Sequence, residues 1–205
     1  MANAVRTVPN GVDLADFRPD MAVRAEMRVA LGIGEDVGLA LFVGGDWQRK
    51  GLRHAVEALA GARTWHLAVA GEGDSRALTA LAESNGTESR LHLLGRVRDM
   101  PRLYAAADAF VFPTAYEAFP LAMLEAAASG VPLLVTPVSG AEDVVVDGVN
   151  GWFISPNATD IARRLNELIS TRGLARRMGD EARTAAAVYS WEKMVEGYLA
   201  VYSDS

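Results

Sequence analysis

Residues 112–132, FPTAYEAFPLAMLEAAASGVP, contain the pattern that decides the fold. A short apolar run, 109–112, ends at Pro113, and a helical pattern begins near Pro120, because proline suits the first turn of a helix. The next apolar run, 132–136, follows this helix directly. Runs that are apolar on both faces and separated by helices are typical of a parallel sheet that is covered on both sides. The stretch therefore predicts one unit of an α/β fold.

The same alternation extends in both directions along the chain. The other apolar runs lie at 38–43, 65–70, 90–94 and 151–154, and the other helical patterns lie at 49–60, 74–84, 100–107 and 158–170. Two further helical patterns follow in 171–205 without a strand between them. Folds of this kind bind ligands in the crevice at the carboxyl ends of the strands. We therefore predict a Rossmann-like, doubly wound parallel sheet within a domain that spans 21–189.

Composition limits the function classes. The chain has 205 residues, half of them hydrophobic, which suits one domain with a sizeable core. It has no cysteine, so disulfides, cysteine-based metal sites and cysteine nucleophiles are excluded, and its three histidines show no ligand spacing. The net charge of −6 disfavours a nucleic-acid partner. The chain contains no run of 18 uncharged apolar residues, so no transmembrane helix is predicted. The first residues do not have the pattern of a signal peptide, and we therefore expect a cytoplasmic protein.

Glycines and basic residues follow the first predicted strand, in the loop GGDWQRKG. Gly44 and Gly45 allow a ligand to approach the backbone closely. Arg49 and Lys50 would open the next helix, where cations oppose the helix dipole and are poorly placed for stability. They are well placed to hold a phosphate together with free helix N–H groups, although a solvated basic pair is an equally good interpretation of this loop alone.

The loops after the second and third strands give weaker signals. In GEGD, Gly71 and Gly73 are not followed by the third glycine of a dinucleotide fingerprint, because Arg76 stands there. A tight strand-to-helix turn is therefore the simpler interpretation. In GRVRD, Arg96 and Arg98 are interpreted as surface charges when that loop is considered by itself.

Two carboxylates bracket the helix that begins near Pro120. Glu117 lies just before the helix, and Glu125 lies about 7–8 Å along it at 1.5 Å per residue. This is roughly the separation between the two sugars of a nucleotide diphosphate-sugar, and the N–H groups of residues 119–121 would face its phosphates. The alternative is that Glu117 complements the helix dipole and Glu125 is a solvated helix charge.

Taken together, these segments resemble the retaining glycosyltransferases of family 4, which have the two-domain GT-B architecture. The resemblance covers almost the whole chain in order. It rests on VPNGVDLADFRP (8–19), LFVGGDWQRKG (41–51), VAGEGD (69–74), LLGRVRDMPRLYAAADAFVFPT (93–114), the spacing of Glu117 and Glu125 as Glu-x7-Glu, and SWEKMVEGYLAVY (190–202). The chain would then be the C-terminal, donor-binding half of a GT-B fold.

The resemblance implies a role for each matched residue. Lys50 and Arg49 would neutralise the donor diphosphate, Glu117 would hold hydroxyls of the transferred sugar, and Glu125 would hold the ribose hydroxyls. The remaining donor-binding positions would act largely through backbone and close approach: Gly44, Gly45, Gly71, Gly73, Arg96, Val97, Ala118, Phe119, Pro120 and Leu121.

Two positions depart from the family pattern. Gly45 stands where the family usually has an arginine, so one diphosphate contact would be missing unless Arg49 supplies it. Asp143 replaces the more usual glutamate of the loop after the fifth strand, which shortens the reach of that side chain.

The resemblance also implies that donor binding and acceptor binding belong to two different domains. Residues 1–20 would be an interdomain linker, and 190–205 would be a helix that crosses to an N-terminal, acceptor-binding domain absent from this chain. No Asp-x-Asp motif is present, so we expect no metal and no other cofactor. The expected partners are a UDP-, GDP- or ADP-sugar and, through the absent half, an acceptor and a peripheral membrane contact. We expect little or no transfer from this chain alone.

A stand-alone nucleotide-sugar-binding or regulatory module without turnover stays open as an alternative. A nicotinamide-dependent oxidoreductase is disfavoured because no Gly-x-Gly-x-x-Gly follows a predicted strand. An α/β-hydrolase is disfavoured because the chain has no Gly-x-Ser-x-Gly.

Overall fold

The computed structural model describes residues 6–203. Within them, six parallel strands form one sheet in the order β3-β2-β1-β4-β5-β6. The strands are β1 (Gly38–Val43), β2 (Trp65–Ala70), β3 (Leu91–Gly95), β4 (Ala109–Phe112), β5 (Leu133–Val135) and β6 (Gly151–Phe153). The winding reverses between β1 and β4, and this switch point is where folds of this kind open a crevice for a ligand. The predicted Rossmann-like, doubly wound α/β fold is confirmed.

Helices cover both faces of the sheet. They are α1 (Met21–Ala30), α2 (Leu52–Ala58), α3 (Ser75–Ser84), α4 (Met100–Ala106), α5 (Leu121–Ala128), α6 (Ala158–Ser170), α7 (Leu174–Ala186) and α8 (Trp191–Ser203). On one face α2 packs against α3 and α6, and on the other α4 packs against α1 and α5, with α7 beyond α5. Strands β1, β2, β4 and β5 are short apolar runs because both of their faces are almost entirely buried, whereas the edge strand β3 is half-buried.

The helix after β1 begins later than its sequence pattern predicts. The pattern covers 49–60, but α2 starts at Leu52, so Arg49 and Lys50 lie in the preceding turn. Gly51 has a φ of 70°, and a Cβ there would come within 2.2 Å of the Pro113 carbonyl oxygen. The left-handed turn at this glycine therefore separates the two cations from the helix.

The two ends of the described chain pack against each other. The Val12 amide donates to the Tyr189 carbonyl at 2.8 Å, and the Trp191 indole donates to the Gly11 carbonyl at 3.1 Å. Ser190 precedes α8 and accepts from the Lys193 amide at 3.3 Å. The assignment of 1–20 as a linker and 190–205 as a crossover helix stays a prediction, and it includes residues 1–5 and 204–205, which lie outside the described range.

None of the helices in residues 6–203 is both long enough and apolar enough to span a bilayer.

A pair of histidines joins the edge strand β3 to β2. His66 Nδ1 lies 2.8 Å from His92 Nε2, and the two rings stack with centroids 5.2 Å apart. Burial lowers the pKa of both imidazoles, and the charges of His92, Arg90 and Arg28 lower that of His66 further. One ring nitrogen must donate and the other accept, so the contact requires at least one neutral ring.

This pair predicts a loss of stability on acidification. A histidine pKa that folding lowers contributes stability above its unfolded value of about 6.5, and that contribution is lost as the pH falls. We expect the free energy of unfolding, from urea titrations, to decline as the pH falls below about 6.5. The variant His66→Gln/His92→Gln should show a flatter profile below that pH. An equal decline in the variant would show that other groups cause it.

Candidate active site

The loops after β1 and β2 pack directly on each other at the carboxyl end of the sheet. A Cβ at Gly71 would come within 2.2 Å of the Gly44 carbonyl oxygen, and one at Gly73 would meet the Trp47 ring at 2.5 Å. The Trp47 indole donates to that same carbonyl at 2.9 Å. Gly44 and Gly71 also have positive φ angles of 138° and 136°. Gly71 is required because the backbone of the first loop leaves no room for a side chain, Gly73 lies under the Trp47 ring, and the positive φ of Gly44 favours glycine there.

Gly45 differs from its neighbours. It is exposed, and a Cβ there would have only an ordinary contact, 3.6 Å from the Glu72 carbonyl oxygen. The position has room for a side chain, so packing does not explain the glycine that stands there.

Lys50 lies across the first loop and faces the loop after β4. Its methylene chain covers Gly44, where a Cβ would meet Cδ at 2.7 Å. Its Nζ lies 2.8 Å from Glu117 Oε1 and 4.6 Å from the centre of the Phe112 ring. The ammonium group is mostly shielded from solvent, with 16% of the side chain exposed. A cation in such a setting attracts an anion more strongly than one in open water.

Arg49 ties the same two loops together. Its carbonyl accepts from the Ala115 amide at 2.9 Å, and Nη1 donates to the Tyr116 carbonyl at 2.5 Å and to Glu117 Oε1 at 3.2 Å. Its Nε donates to Asp46 at 2.8 Å, and these carboxylates raise the pKa of the guanidinium while Arg49 lowers that of Asp46. The guanidinium is therefore held in place by both loops.

Glu117 is the shared counter-ion of the two cations. Its Oε1 contacts both Lys50 and Arg49, and only 15% of its side chain is exposed. The sequence separates Lys50 from Glu117 by 67 positions, and the parallel arrangement of β1 and β4 brings them together. An incoming diphosphate would compete with this carboxylate for the same positive charges.

Helix α5 begins four residues after Glu117, the carboxylate that pairs with Lys50 and Arg49. The helix begins at Leu121, with Pro120 at the N-cap, and no side chain of the described residues caps it. Free N–H groups and the helix dipole therefore create positive potential here. One detail of the sequence interpretation was wrong: Pro120 has no N–H group, so Phe119 and Leu121 are the donors within 119–121.

Neighbouring residues hold the chain that enters α5. Gly140 has a φ of 77°, and a Cβ there would meet the Phe119 ring at 2.6 Å. The Tyr189 ring lies 5.9 Å from that of Phe119 on another side. Ala118 and Leu121 are exposed and face solvent at the helix entrance. The backbone of the N-terminus is thus fixed while its outer surface stays accessible.

Glu125 lies one turn into α5 and is partly buried. Its Oε2 accepts a hydrogen bond from the Tyr104 hydroxyl at 2.9 Å. Burial raises the pKa of this carboxyl, and the Tyr104 hydrogen bond opposes that shift. Tyr104 was not identified from the sequence. The sequence feature that could have identified it is a tyrosine inside an apolar helical pattern, because a buried hydroxyl needs a polar partner.

The loop after β3 joins the site through its backbone. The Gly71 amide donates to the Gly95 carbonyl at 2.7 Å, which places the two loops side by side. The Arg96 side chain turns outward and pairs with Glu72 at 3.1 Å in an exposed position. Val97 is half-buried and packs on the core. Arg96 is thus not brought to Lys50 or Glu117 by its side chain, and backbone contacts to a base remain a prediction.

The sequence profile of the family described as Glycosyl transferases group 1 matches residues 23–185. A D-inositol 3-phosphate glycosyltransferase of Nocardia farcinica is 34% identical over 97% of this chain and 47% of its own length. The chain spans about half the length of the curated relatives it matches.

Solved structures agree in fold. Sucrose-phosphate synthase from Thermosynechococcus elongatus superposes with a TM-score of 0.87 and 26% identity, over 100% of this chain and 54% of that protein. The Anabaena protein HepE, solved in complex with UDP-glucose, gives a TM-score of 0.92 at 22% identity, over 100% of this chain and 59% of that one. The match of the family profile to most of the chain, together with these relatives, shows that the chain belongs to the group 1 glycosyl transferases.

Proposed function

We propose that this chain is the donor-binding half of a retaining GT-B glycosyltransferase of family 4, which binds a nucleotide diphosphate-sugar and transfers a hexose without a metal ion. The observation that carries the proposal is the convergence of Lys50, Arg49 and Glu117 beside the uncapped N-terminus of α5. The D-inositol 3-phosphate glycosyltransferase among its relatives is consistent with sugar transfer by the whole protein.

The proposed role of the positive groups follows from the negative charge that develops on the leaving diphosphate. When the bond between the anomeric carbon and the diphosphate oxygen breaks, the leaving diphosphate gains negative charge. Lys50, Arg49 and the free N–H groups of α5 present preorganised positive potential to those oxygens, which stabilises the transition state. This supply of positive charge by the chain itself is the basis for proposing a metal-independent site.

The two glutamates would act on the two sugars of the donor. When phosphate oxygens replace Glu117 as the partners of Lys50 and Arg49, the Glu117 carboxylate becomes free to accept hydrogen bonds from hydroxyls of the transferred sugar. Glu125 would accept from the ribose hydroxyls. No side chain is assigned as a covalent nucleophile, so Glu117 is given an orienting role.

Acceptor binding is assigned to the part of the protein that this chain does not include, since the chain spans about half the length of its relatives. We propose a cytoplasmic protein whose other half carries any peripheral membrane contact. Glycosyl transfer by this chain alone is expected to be slight or absent, because we propose that the acceptor binds to the other half of the protein.

Calorimetric titration with UDP-, GDP- and ADP-glucose tests the proposal. We expect one of the three sugar nucleotides to bind much more tightly than the other two. Its Kd should stay unchanged when EDTA is added, because the positive charge comes from side chains and a helix N-terminus. Binding that disappears with EDTA and returns with Mg²⁺ would contradict the metal-independent site. No binding of any of the three would contradict the donor-binding role itself.

A further inference from the structure

The Tyr104 side chain carries a buried hydroxyl near the site. The side chain has no exposed surface, and its oxygen lies 2.9 Å from Glu125 Oε2 and 3.0 Å from the Ala122 carbonyl oxygen. A phenol has one proton and here has two acceptors. The Ala122 carbonyl alone would satisfy a buried tyrosine, so the approach to the carboxylate is an additional feature.

The ring that carries this hydroxyl is fixed on both sides. The Phe17 ring meets it edge-on, with centroids 5.7 Å apart at 70°, and the Phe110 ring lies 6.3 Å away. Tyr104 sits on α4 and Glu125 on α5, so the hydrogen bond spans two helices. A rigid donor on one helix therefore fixes the rotamer of a flexible carboxylate on the other.

We propose that Tyr104 is a positioning residue, whose hydroxyl holds the Glu125 carboxylate in the orientation that accepts the ribose hydroxyls of the donor. This inference rests on the proposed function and adds to it the residue that prepares the ribose contact. Tyr104 acts only through Glu125, since it is buried and cannot itself reach a ligand.

Other charged groups on the surrounding helices are engaged elsewhere. Arg102 on α4 donates to Glu26 at 2.7 Å, and Arg183 on α7 donates to the Ala128 carbonyl at 2.5 Å. The strands β4 and β5, which also pack on α5, contain no ionisable side chain. Tyr104 is thus the titratable group in the described chain that lies against Glu125.

The test compares Tyr104→Phe with the unaltered chain by calorimetry. The probe is whichever of UDP, GDP and ADP binds the unaltered chain most tightly, together with the 2′,3′-dideoxy form of the same nucleotide. We expect Tyr104→Phe to weaken binding of the ribonucleotide about tenfold, the scale of a hydrogen bond to a charged group. The dideoxy form should bind both proteins equally, because it has no ribose hydroxyls for Glu125 to hold.

Two further variants complete the test. Tyr104→Phe added to Glu125→Gln should cause little further loss, because the tyrosine acts through the glutamate. Tyr198→Phe, which removes a hydroxyl from α8 at a half-exposed position, is the matched control and should leave the Kd unchanged.

The contrary outcomes are distinct. Equal losses for the ribonucleotide and its dideoxy form, or a full additional loss in the double variant, would show that Tyr104 only supports the fold. If Glu125→Gln weakens ribonucleotide binding and Tyr104→Phe does not, the positioning role is wrong and the proposed function stands. If the unaltered chain binds none of the three nucleotides, both proposals fall.

Discussion

Lys50→Ala is expected to weaken binding of the preferred nucleoside diphosphate by roughly 10- to 100-fold, the range for loss of a shielded, charge-assisted contact to phosphate. The Lys50 side chain is 16% exposed, and its Nζ lies 2.8 Å from Glu117 Oε1. Its removal takes away a cation and also leaves the Glu117 carboxylate facing the incoming phosphates. The two effects act in the same direction, which makes this the largest loss of affinity that we predict.

The chain offers a matched control for this variant. Lys193 is its other lysine; it lies on α8 and forms an exposed pair with Glu196 at 2.8 Å. Lys193→Ala changes the net charge by the same amount but should leave the Kd within about twofold, because exposed pairs contribute little and salt screens distant charges. Calorimetry on both variants separates a local contact from a general electrostatic effect. If Lys50→Ala and the unaltered chain bind the nucleotide with equal affinity, the assignment of Lys50 to the donor site is wrong.

Much of the fold could be predicted because its signals are local. Runs such as GLALFV (38–43) are apolar on both faces, and together with the helical patterns between them they indicate buried parallel strands. The start of α2 could not be predicted in the same way. It depends on a left-handed turn at Gly51 that forms against the Pro113 carbonyl, a contact between residues that are distant in sequence.

The candidate site, like the fold, could be predicted from the sequence only in part. The sequence motifs identified Lys50, Arg49 and Glu117, and the structure brings all three into one ion-paired cluster. Their mutual pairing could not be read from the sequence, because it arises from the placement of β1 beside β4. Tyr104 was missed because its hydroxyl acts across two helices, and no local pattern reveals a partner on another element.

Arg28→Ala is expected to lower the free energy of unfolding by about 3–5 kcal/mol, the usual cost of breaking a buried charge pair. The Arg28 side chain is fully buried on α1. It donates to Asp108 at 2.9 Å, to the Ala106 carbonyl at 3.2 Å and to the Gly34 carbonyl at 2.6 Å, and it also contacts the Val37 carbonyl. Its loss would remove these four contacts, and Asp108 and the Ala106 carbonyl would keep only their other donors, which include Arg24.

Urea titrations followed by circular dichroism measure this effect, with Arg53→Ala as the control. Arg53 forms an exposed pair with Glu57 on α2 at 2.8 Å, and its loss should cost less than about 1 kcal/mol. Arg28→Lys, which keeps the charge but loses the planar fork of donors, should fall between the two. Because this network joins α1 to β1 and β4 at the end of the sheet opposite the site, the Kd for nucleotide should not change in any variant that folds. A reduced affinity in folded Arg28→Lys would show instead that the two ends of the sheet are coupled.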